Sequence, residues 1–263
     1  MHFLDSCAVM ADKVEEAICG LAGDPRAGAV VGMGADGTPT KYIDKVAEDI
    51  IFGYLRDHGL CSGAISEEAG RCDMPSGEGT VIVDPIDGTS NAISGIPYYA
   101  LSIAREIDGH PEEAFIRDLA HHETFTALRG RGAWLDGRPI RVSETCRLDK
   151  ATVSLYGRRY QPESLLGLGK RIRRWRLLGA SALELAYVGA GRIDAFVDLR
   201  GSLRITDAAA GMLICREAGG LISGTDNTGI RYSGDVREGA RLVATNGLLH
   251  AEIIGTLEGY HEN

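Results

Sequence analysis

The sequence predicts a layered fold in which helices pack on two sheets. Three observations point to it. Residues 98–134 read as short strands joined by turns, the pattern of an antiparallel sheet with helices on one side. From Ala151 onward strands and helices alternate, which layers helices on a second sheet. The chain has 263 residues, 44% of them hydrophobic, enough for one large domain or two tightly joined subdomains. The expected division is an N-terminal α+β subdomain, 1–147, and a C-terminal α/β subdomain, 148–263.

The elements follow in order. Residues 3–22 have the apolar spacing of an amphipathic helix. Residues 23–39 are rich in Gly, Asp and Pro, and the run Gly32–Pro39 is expected to be a mobile loop without regular structure. From Thr40 to His58 the apolar positions Ile43, Val46, Ala47, Ile50, Ile51 and Tyr54 recur with helical period, and Gly59 suits a stop. Ala64–Ser66 is a short strand ending at Glu67-Glu68, and 70–79 a polar connection. Strands are expected at 100–107, 113–118 and 123–128, the first leading into an Asp108-Gly109 hairpin turn. His121-His122-Glu123 falls between two of these strands and reads as a turn rather than a metal site. The second half alternates strand 152–156, helix 162–169, strand 174–177, helix 180–190, strand 194–199, helix 206–218, strand 241–245 and helix 247–257.

Composition removes several function classes. The formal net charge of -9 argues against a broad nucleic-acid surface, which needs clustered Lys and Arg. No stretch approaches the ~20 apolar residues that span a bilayer, and the first residues lack the basic start and apolar core of a signal peptide. The expectation is a cytoplasmic protein with neither nucleic acid nor membrane as partner. The six cysteines are scattered without a C-x-x-C pair, as reduced core residues are.

The chemistry concentrates in Val81-Ile82-Val83-Asp84-Pro85-Ile86-Asp87-Gly88-Thr89-Ser90-Asn91. An apolar strand ends in two carboxylates three residues apart, and a Gly-Thr-Ser turn follows that opens a helix. Carboxylates hold hard cations. Backbone N–H groups at a helix start can hold a phosphate. Glu67 and Asp207 stand at similar positions, a strand end and a helix start. Each acid has a plainer reading alone: Asp207 as a cap, Glu67 as a solvated acid, Asp84 and Asp87 as an Asp-Pro turn.

Taken together these segments resemble the inositol monophosphatase superfamily. Asp84-Pro85-Ile86-Asp87-Gly88-Thr89 is similar to its first signature. Ile205-Thr206-Asp207-Ala208-Ala209-Ala210-Gly211, continuing to Glu217-Ala218-Gly219-Gly220, is similar to its second. Ser66-Glu67-Glu68 looks like the family's first acidic motif, and Lys41-Tyr42-Ile43-Asp44 fits its upstream helix. The motifs stand in family order across nearly the whole chain. The fold this implies is an α+β / α/β layered sandwich of alternating α-β-α-β-α layers, the inositol monophosphatase / fructose-1,6-bisphosphatase (sugar phosphatase) fold.

Gly34–Lys41, Leu178–Glu184 and Asp198–Arg204 resemble the archaeal-type subgroup, which acts on both fructose 1,6-bisphosphate and inositol monophosphates. Two departures stand out. Thr206-Asp207 replaces the Trp-Asp of many relatives, and Arg200 stands where they often carry an acid that binds inositol hydroxyls. A cation there favours a second phosphate.

The resemblance implies a mechanism. Glu67, Asp84 and the carbonyl of Ile86 hold one Mg2+; Asp84, Asp87 and Asp207 hold a second; a third, weaker ion sits near Glu67, and Mn2+ can substitute. Such ions activate a water and stabilise the leaving oxygen in an in-line displacement. Thr89 and Asp44 orient and deprotonate that water, and Thr89 also serves as a cap. Backbone N–H groups of Gly88 and Thr89 face the phosphate, with Asp87 and Ser90 as further phosphate-binding candidates. Tyr156, Ser181, Arg200 and Arg204 are candidates for the sugar end. Arg158, Arg159, Arg171, Arg173, Arg174 and Arg176 form a basic stretch that reads as a solvated face, with a distal phosphate as the competing role. The loop 30–40, by the same resemblance, brings a third metal or a catalytic group into place. The expected function is therefore hydrolysis of a sugar phosphate in gluconeogenesis by a homodimer. The alternatives are a 3'-phosphoadenosine 5'-phosphate or NADP phosphatase, for which no adenine slot is apparent, and a partner of the transcription or ribosome-assembly machinery.

Overall fold

A computed structural model describes residues 2–157, 162–230, 232 and 234–258. Helix α1 (Phe3–Ile18) and helix α2 (Tyr42–His58) bury their apolar faces together. Between them a two-stranded hairpin pairs β1 (Val30–Met33) with β2 (Pro39–Lys41). This corrects the expectation of a loop without regular structure. Asp36 accepts hydrogen bonds from the Thr38 N–H and hydroxyl, and the N–H of Ala35 donates to the Glu68 carbonyl, so a tied turn offsets the Gly-rich composition. Gly59 ends α2 in the left-handed conformation.

The first sheet contains β3 (Cys61–Ser66), β4 (Gly70–Ser76), β5 (Thr80–Asp87), β6 (Ala100–Ile107), β7 (His110–Asp118), β8 (Thr124–Leu128), β9 (Gly132–Leu135) and β10 (Arg138–Pro139). Its spatial order is β10-β9-β8-β7-β6-β5-β3-β4. The 70–79 segment, expected as a connection, is mostly the edge strand β4, which has few apolar residues because much of it faces solvent. Helix α3 (Thr89–Ile93) follows β5 at once. His121 and His122 form the expected turn, capped by the Asp118 carboxylate on the His121 N–H.

The second sheet has the order β12-β11-β13-β15-β14. Its strands are β11 (Thr152–Tyr156), β12 (Arg174–Arg176), β13 (Ala195–Leu203), β14 (Leu221–Ser223) and β15 (Ala240–Thr245). Interleaved with them are α4 (Pro162–Arg171), α5 (Ser181–Gly189), α6 (Ile205–Glu217) and α7 (His250–Glu258).

Four buried clusters stack these elements into the expected α-β-α-β-α order. Met10, Val14, Ile51 and Leu55 pack α1 and α2 on Val83, Ile103 and Phe115 of the first sheet. The opposite face of that sheet, with Ile82, Ile116 and Phe125, packs on Leu183, Ala186, Ala210 and Leu213 of α5 and α6. Phe196 and Leu242 of the second sheet cover those helices from the other side. Leu165, Leu168, Ile253 and Leu257 of α4 and α7 form the last layer. Burying each large side chain of this kind is worth about 1.5–3 kcal/mol. The central helices are squeezed between two sheets, which explains the small-residue run Ala208-Ala209-Ala210-Gly211. A Cβ on Gly211 would lie 2.5 Å from the Leu185 Cβ.

All six cysteines are free, with Cys7, Cys61 and Cys215 buried. Among the described residues no helix is long and apolar enough to cross a membrane.

Candidate active site

Strand register builds the site. Strands β3 and β5 run parallel, and Ser66 lies opposite Val83. Glu67 and Asp84, each the next residue, therefore emerge side by side at one rim of the sheet. The pairing of β5 with β6 shifts between Asp84 and Asp87, a bulge that re-aims the chain. The Ile86 N–H folds back onto Asp84 Oδ1 at 3.1 Å. Gly88 then turns the chain at φ 88°, and a Cβ there would lie 3.0 Å from the Ala180 Cβ, so only glycine fits without strain. The start of α6 brings Asp207 to the same rim from the central helix layer.

Glu67, Asp84 and Asp207 converge, each with a carboxylate oxygen within 4.8 Å of the others. Burial pushes Glu67 and Asp84 well above the usual carboxylate range, and neighbouring acids push further: Asp84 and Asp207 on Glu67, Asp87 and Asp207 on Asp84. Asp87 is pushed up to about 8, by burial first and the Asp207 charge second. The Arg204 guanidinium opposes this. It pairs with Asp36 of the hairpin, lies 2.6 Å from Glu67 Oε1 and 3.5 Å from Asp207 Oδ2. Burial by itself disfavours the charge on Arg204, but Asp207, Glu67, Asp84 and Asp36 outweigh it and hold the guanidinium protonated.

Asp87 lies beside this cluster, and its two oxygens accept the N–H groups of Ser181, Ala182 and Leu183 at 2.8–3.2 Å. Those are the free donors of the first turn of α5. Asp44, in the first turn of α2, is buried and pushed up to about 7 by that burial. The Thr89 hydroxyl lies 3.0 Å from Asp44 Oδ1 and 2.9 Å from the Ile86 carbonyl. Ser90 is exposed on α3.

The residues expected at the sugar end divide. Arg200 is fixed by buried Asp198, which accepts from its backbone N–H and side chain, and its guanidinium lies 4.3 Å from the centre of the Tyr156 ring. Tyr156 turns its hydroxyl inward onto Glu184 and presents its ring face to Arg200. Ser181 is buried at the start of α5, and Arg204 is joined to the acidic cluster itself. Of the basic stretch, Arg171 pairs with Glu252 on α7, and Arg173, Arg174 and Arg176 are exposed near the sheet edge. Arg158 and Arg159 lie outside the described residues.

Sequence reasoning missed three buried acids that hold these groups. Glu48 accepts from the Ser66 hydroxyl and the Ala69 N–H, fixing the turn that carries Glu67. Its signal was present, one helical turn beyond Asp44. Asp198 stands two residues before Arg200 and faces the same way on its strand. Glu184 sits inside the run Leu178–Glu184, which sequence reasoning singled out without giving this acid a role.

The donor set suits a hard divalent cation: three clustered carboxylates, Glu67, Asp84 and Asp207, whose negative charge is only partly countered by Arg204. This has a measurable consequence. Each raised carboxyl binds its proton more tightly folded than unfolded, so its contribution to stability is lost as pH rises through the folded value. In EDTA the melting temperature is expected to fall between about pH 5 and about pH 8, and Mg2+ to raise it more at the upper end of that range. Equal Mg2+ shifts at both ends, or no shift, would contradict this distribution of charge.

A five-layer sandwich with an acidic rim beside a Gly-Thr turn is the architecture of the metal-dependent sugar phosphatases. The profile of the inositol monophosphatase family matches residues 5–262, and the chain belongs to that family. It is a phosphatase. The fructose-1,6-bisphosphatase/inositol-1-monophosphatase of Methanothermobacter thermautotrophicus is 42% identical over 269 residues, covering 95% of this chain and 94% of that one. The bifunctional NADP phosphatase/NAD kinase of Methanococcus maripaludis is 30% identical over 279 residues, covering 97% of this chain and 49% of that one. The solved structure of the MJ0109 gene product, an inositol monophosphatase-fructose 1,6 bisphosphatase, superposes with a TM-score of 0.90 at 30% identity, covering 98% of this chain and 99% of that one.

Proposed function

We propose that the chain is a Mg2+-dependent phosphatase that hydrolyses fructose 1,6-bisphosphate and inositol 1-phosphate in one site. The observation that carries this reading is the convergence of Glu67, Asp84 and Asp207 beside the Asp44–Thr89 pair. In this reading Glu67, Asp84 and the Ile86 carbonyl hold one ion, Asp84, Asp87 and Asp207 a second, with a third and weaker one near Glu67. Mn2+ is an acceptable substitute. When bound, such ions polarise the phosphate and acidify a water.

The remaining work falls to the protein's own groups. The Thr89 hydroxyl donates to Asp44 and offers its lone pair to the attacking water. Asp44, raised to about 7, then accepts the proton near neutral pH. Backbone N–H groups at Gly88, Thr89 and Ser90 orient the phosphate, and Ser181 and Tyr156 border the sugar. Arg200, with Nε and one terminal nitrogen spent on Asp198, presents a fixed cation for a second phosphate. The enzyme works as a cytoplasmic homodimer of two-subdomain chains, 1–147 and 148–263, in gluconeogenesis.

Arg200→Ala tests the substrate assignment. KM for fructose 1,6-bisphosphate is expected to rise at least ~10-fold, and KM for inositol 1-phosphate by less than ~3-fold. Equal changes for both substrates would remove Arg200 from the distal phosphate. The NADP phosphatase relative supports a second reading, and phosphate release from NADP+ measured alongside distinguishes it.

A further inference from the structure

Glu184 is fully buried, yet the proposed mechanism does not use it. A carboxyl in the middle of a protein is costly unless its oxygens are met by donors, and an apolar side chain of similar size would avoid that cost. Donors do meet this one. The hydroxyls of Ser154 and Tyr156 both donate to it, and so does the Gly179 N–H at 3.0 Å. Ser154 and Tyr156 are two apart on β11 and share the face turned to α5. Burial pushes the Glu184 carboxyl up to about 7, against the pull of the Tyr156 hydroxyl and the backbone N–H of Gly179.

The three donors belong to two pieces of the site. The Tyr156 ring carries the Arg200 guanidinium on its face. The Gly179 N–H belongs to the turn that opens α5, and it also donates to the Tyr156 hydroxyl at 2.8 Å. Two residues later that turn presents the N–H groups that grip Asp87. Asn91 of α3 ties the same turn to the segment before β6, donating to the Leu178 and Tyr98 carbonyls, both at 2.8 Å. Contacts thus run from Arg200 through Tyr156 and Glu184 to Gly179, and the chain carries the link on from Gly179 to Ser181, whose N–H holds Asp87.

We propose that Glu184 is a positioning residue, the buried carboxyl that holds the turn 178–183 at a fixed spacing between the substrate-side cation Arg200 and the metal-side acid Asp87. It touches neither substrate nor ion. Its effect is on a ligand that must reach both ends at once, which a bisphosphate does and an inositol monophosphate does not. The proposal rests on the functional reading of the site in which Arg200 takes the second phosphate.

The test compares Glu184→Gln, Ser154→Ala and the double variant with the parent enzyme in the presence of Mg2+. Gln keeps the volume and one acceptor. Ser154→Ala removes one donor without creating a large cavity, and it carries the test alone if Glu184→Gln does not fold. Two readouts are taken: amide hydrogen exchange at 179–183, and steady-state constants on fructose 1,6-bisphosphate and inositol 1-phosphate. Exchange at Ser181–Leu183 is expected to quicken about tenfold in Glu184→Gln. KM for the bisphosphate should rise about tenfold with kcat within about twofold, while KM for inositol 1-phosphate moves less than about threefold. The double variant should be no worse than the worse single one, because both act through one contact. Unchanged exchange overturns the proposal, as does quickened exchange with no change in KM, or an equal loss on both substrates. If the parent itself fails to hydrolyse the bisphosphate, the functional reading fails instead, and the exchange rates still decide whether Glu184 holds the turn.

Discussion

Asp84→Asn is expected to reduce kcat by at least ~10³-fold while leaving the protein folded. Asp84 is the one acid that both proposed ions share, so its loss weakens both. The substitution is nearly isosteric, and the Asn oxygen can still accept the Ile86 N–H that Asp84 now accepts at 3.1 Å. The fold therefore has little reason to change. Stability should even rise in EDTA. Burial and the charges of Asp87 and Asp207 already disfavour the ionised Asp84, and a neutral amide removes that repulsion. A melting temperature above that of the parent, measured near pH 8 in EDTA, together with lost phosphate release in Mg2+, is the expected pair of results. Near-normal turnover would remove Asp84 from the metal site.

Asp44→Asn is expected to lower kcat about 10²-fold and to change the shape of the pH profile. In the parent, activity should climb as pH rises and the Asp44 carboxyl loses its proton, a loss that burial holds above the usual carboxylate range and that bound Mg2+ draws back down. In the variant that ascending limb should disappear. Thr89→Ala should lower kcat to a similar level, because in the proposed mechanism the two residues pass one proton across the 3.0 Å contact between them. The double variant should be little worse than either single one. An ascending limb that persists unchanged in Asp44→Asn would assign the proton to another group.

Much of this was readable in the chain because the decisive groups are local. The strand ending at Asp84 and Asp87 and the helical spacing from Ile43 to Tyr54 each carry their reason within ten or so neighbours. The alternation after Ala151 revealed the second sheet and its helices for the same reason. What was not readable depends on contacts across the fold. Strand β4 is mostly polar because an edge strand buries little, so periodicity does not mark it. Strand β14 has only three residues. The hairpin around Asp36 is held by Glu68 and Arg204, which are far away in sequence.

The site divides along the same line. Asp44 and Thr89 meet as the family resemblance implied, 45 positions apart. The roles of Glu48, Asp198 and Glu184 are visible only once their partners are in space. Arg204 carries the clearest difference. A cation expected at the sugar end is instead bound among Asp36, Glu67 and Asp207, because the start of α6 aims it back along the rim that Asp207 shares.

The most direct test of the central claim is steady-state phosphate release with Mg2+ from fructose 1,6-bisphosphate, inositol 1-phosphate, 3'-phosphoadenosine 5'-phosphate and NADP+, with EDTA as control. Preference for fructose 1,6-bisphosphate, clear activity on inositol 1-phosphate and loss of both in EDTA is the predicted result. Full activity in EDTA, or preference for either nucleotide, would contradict it.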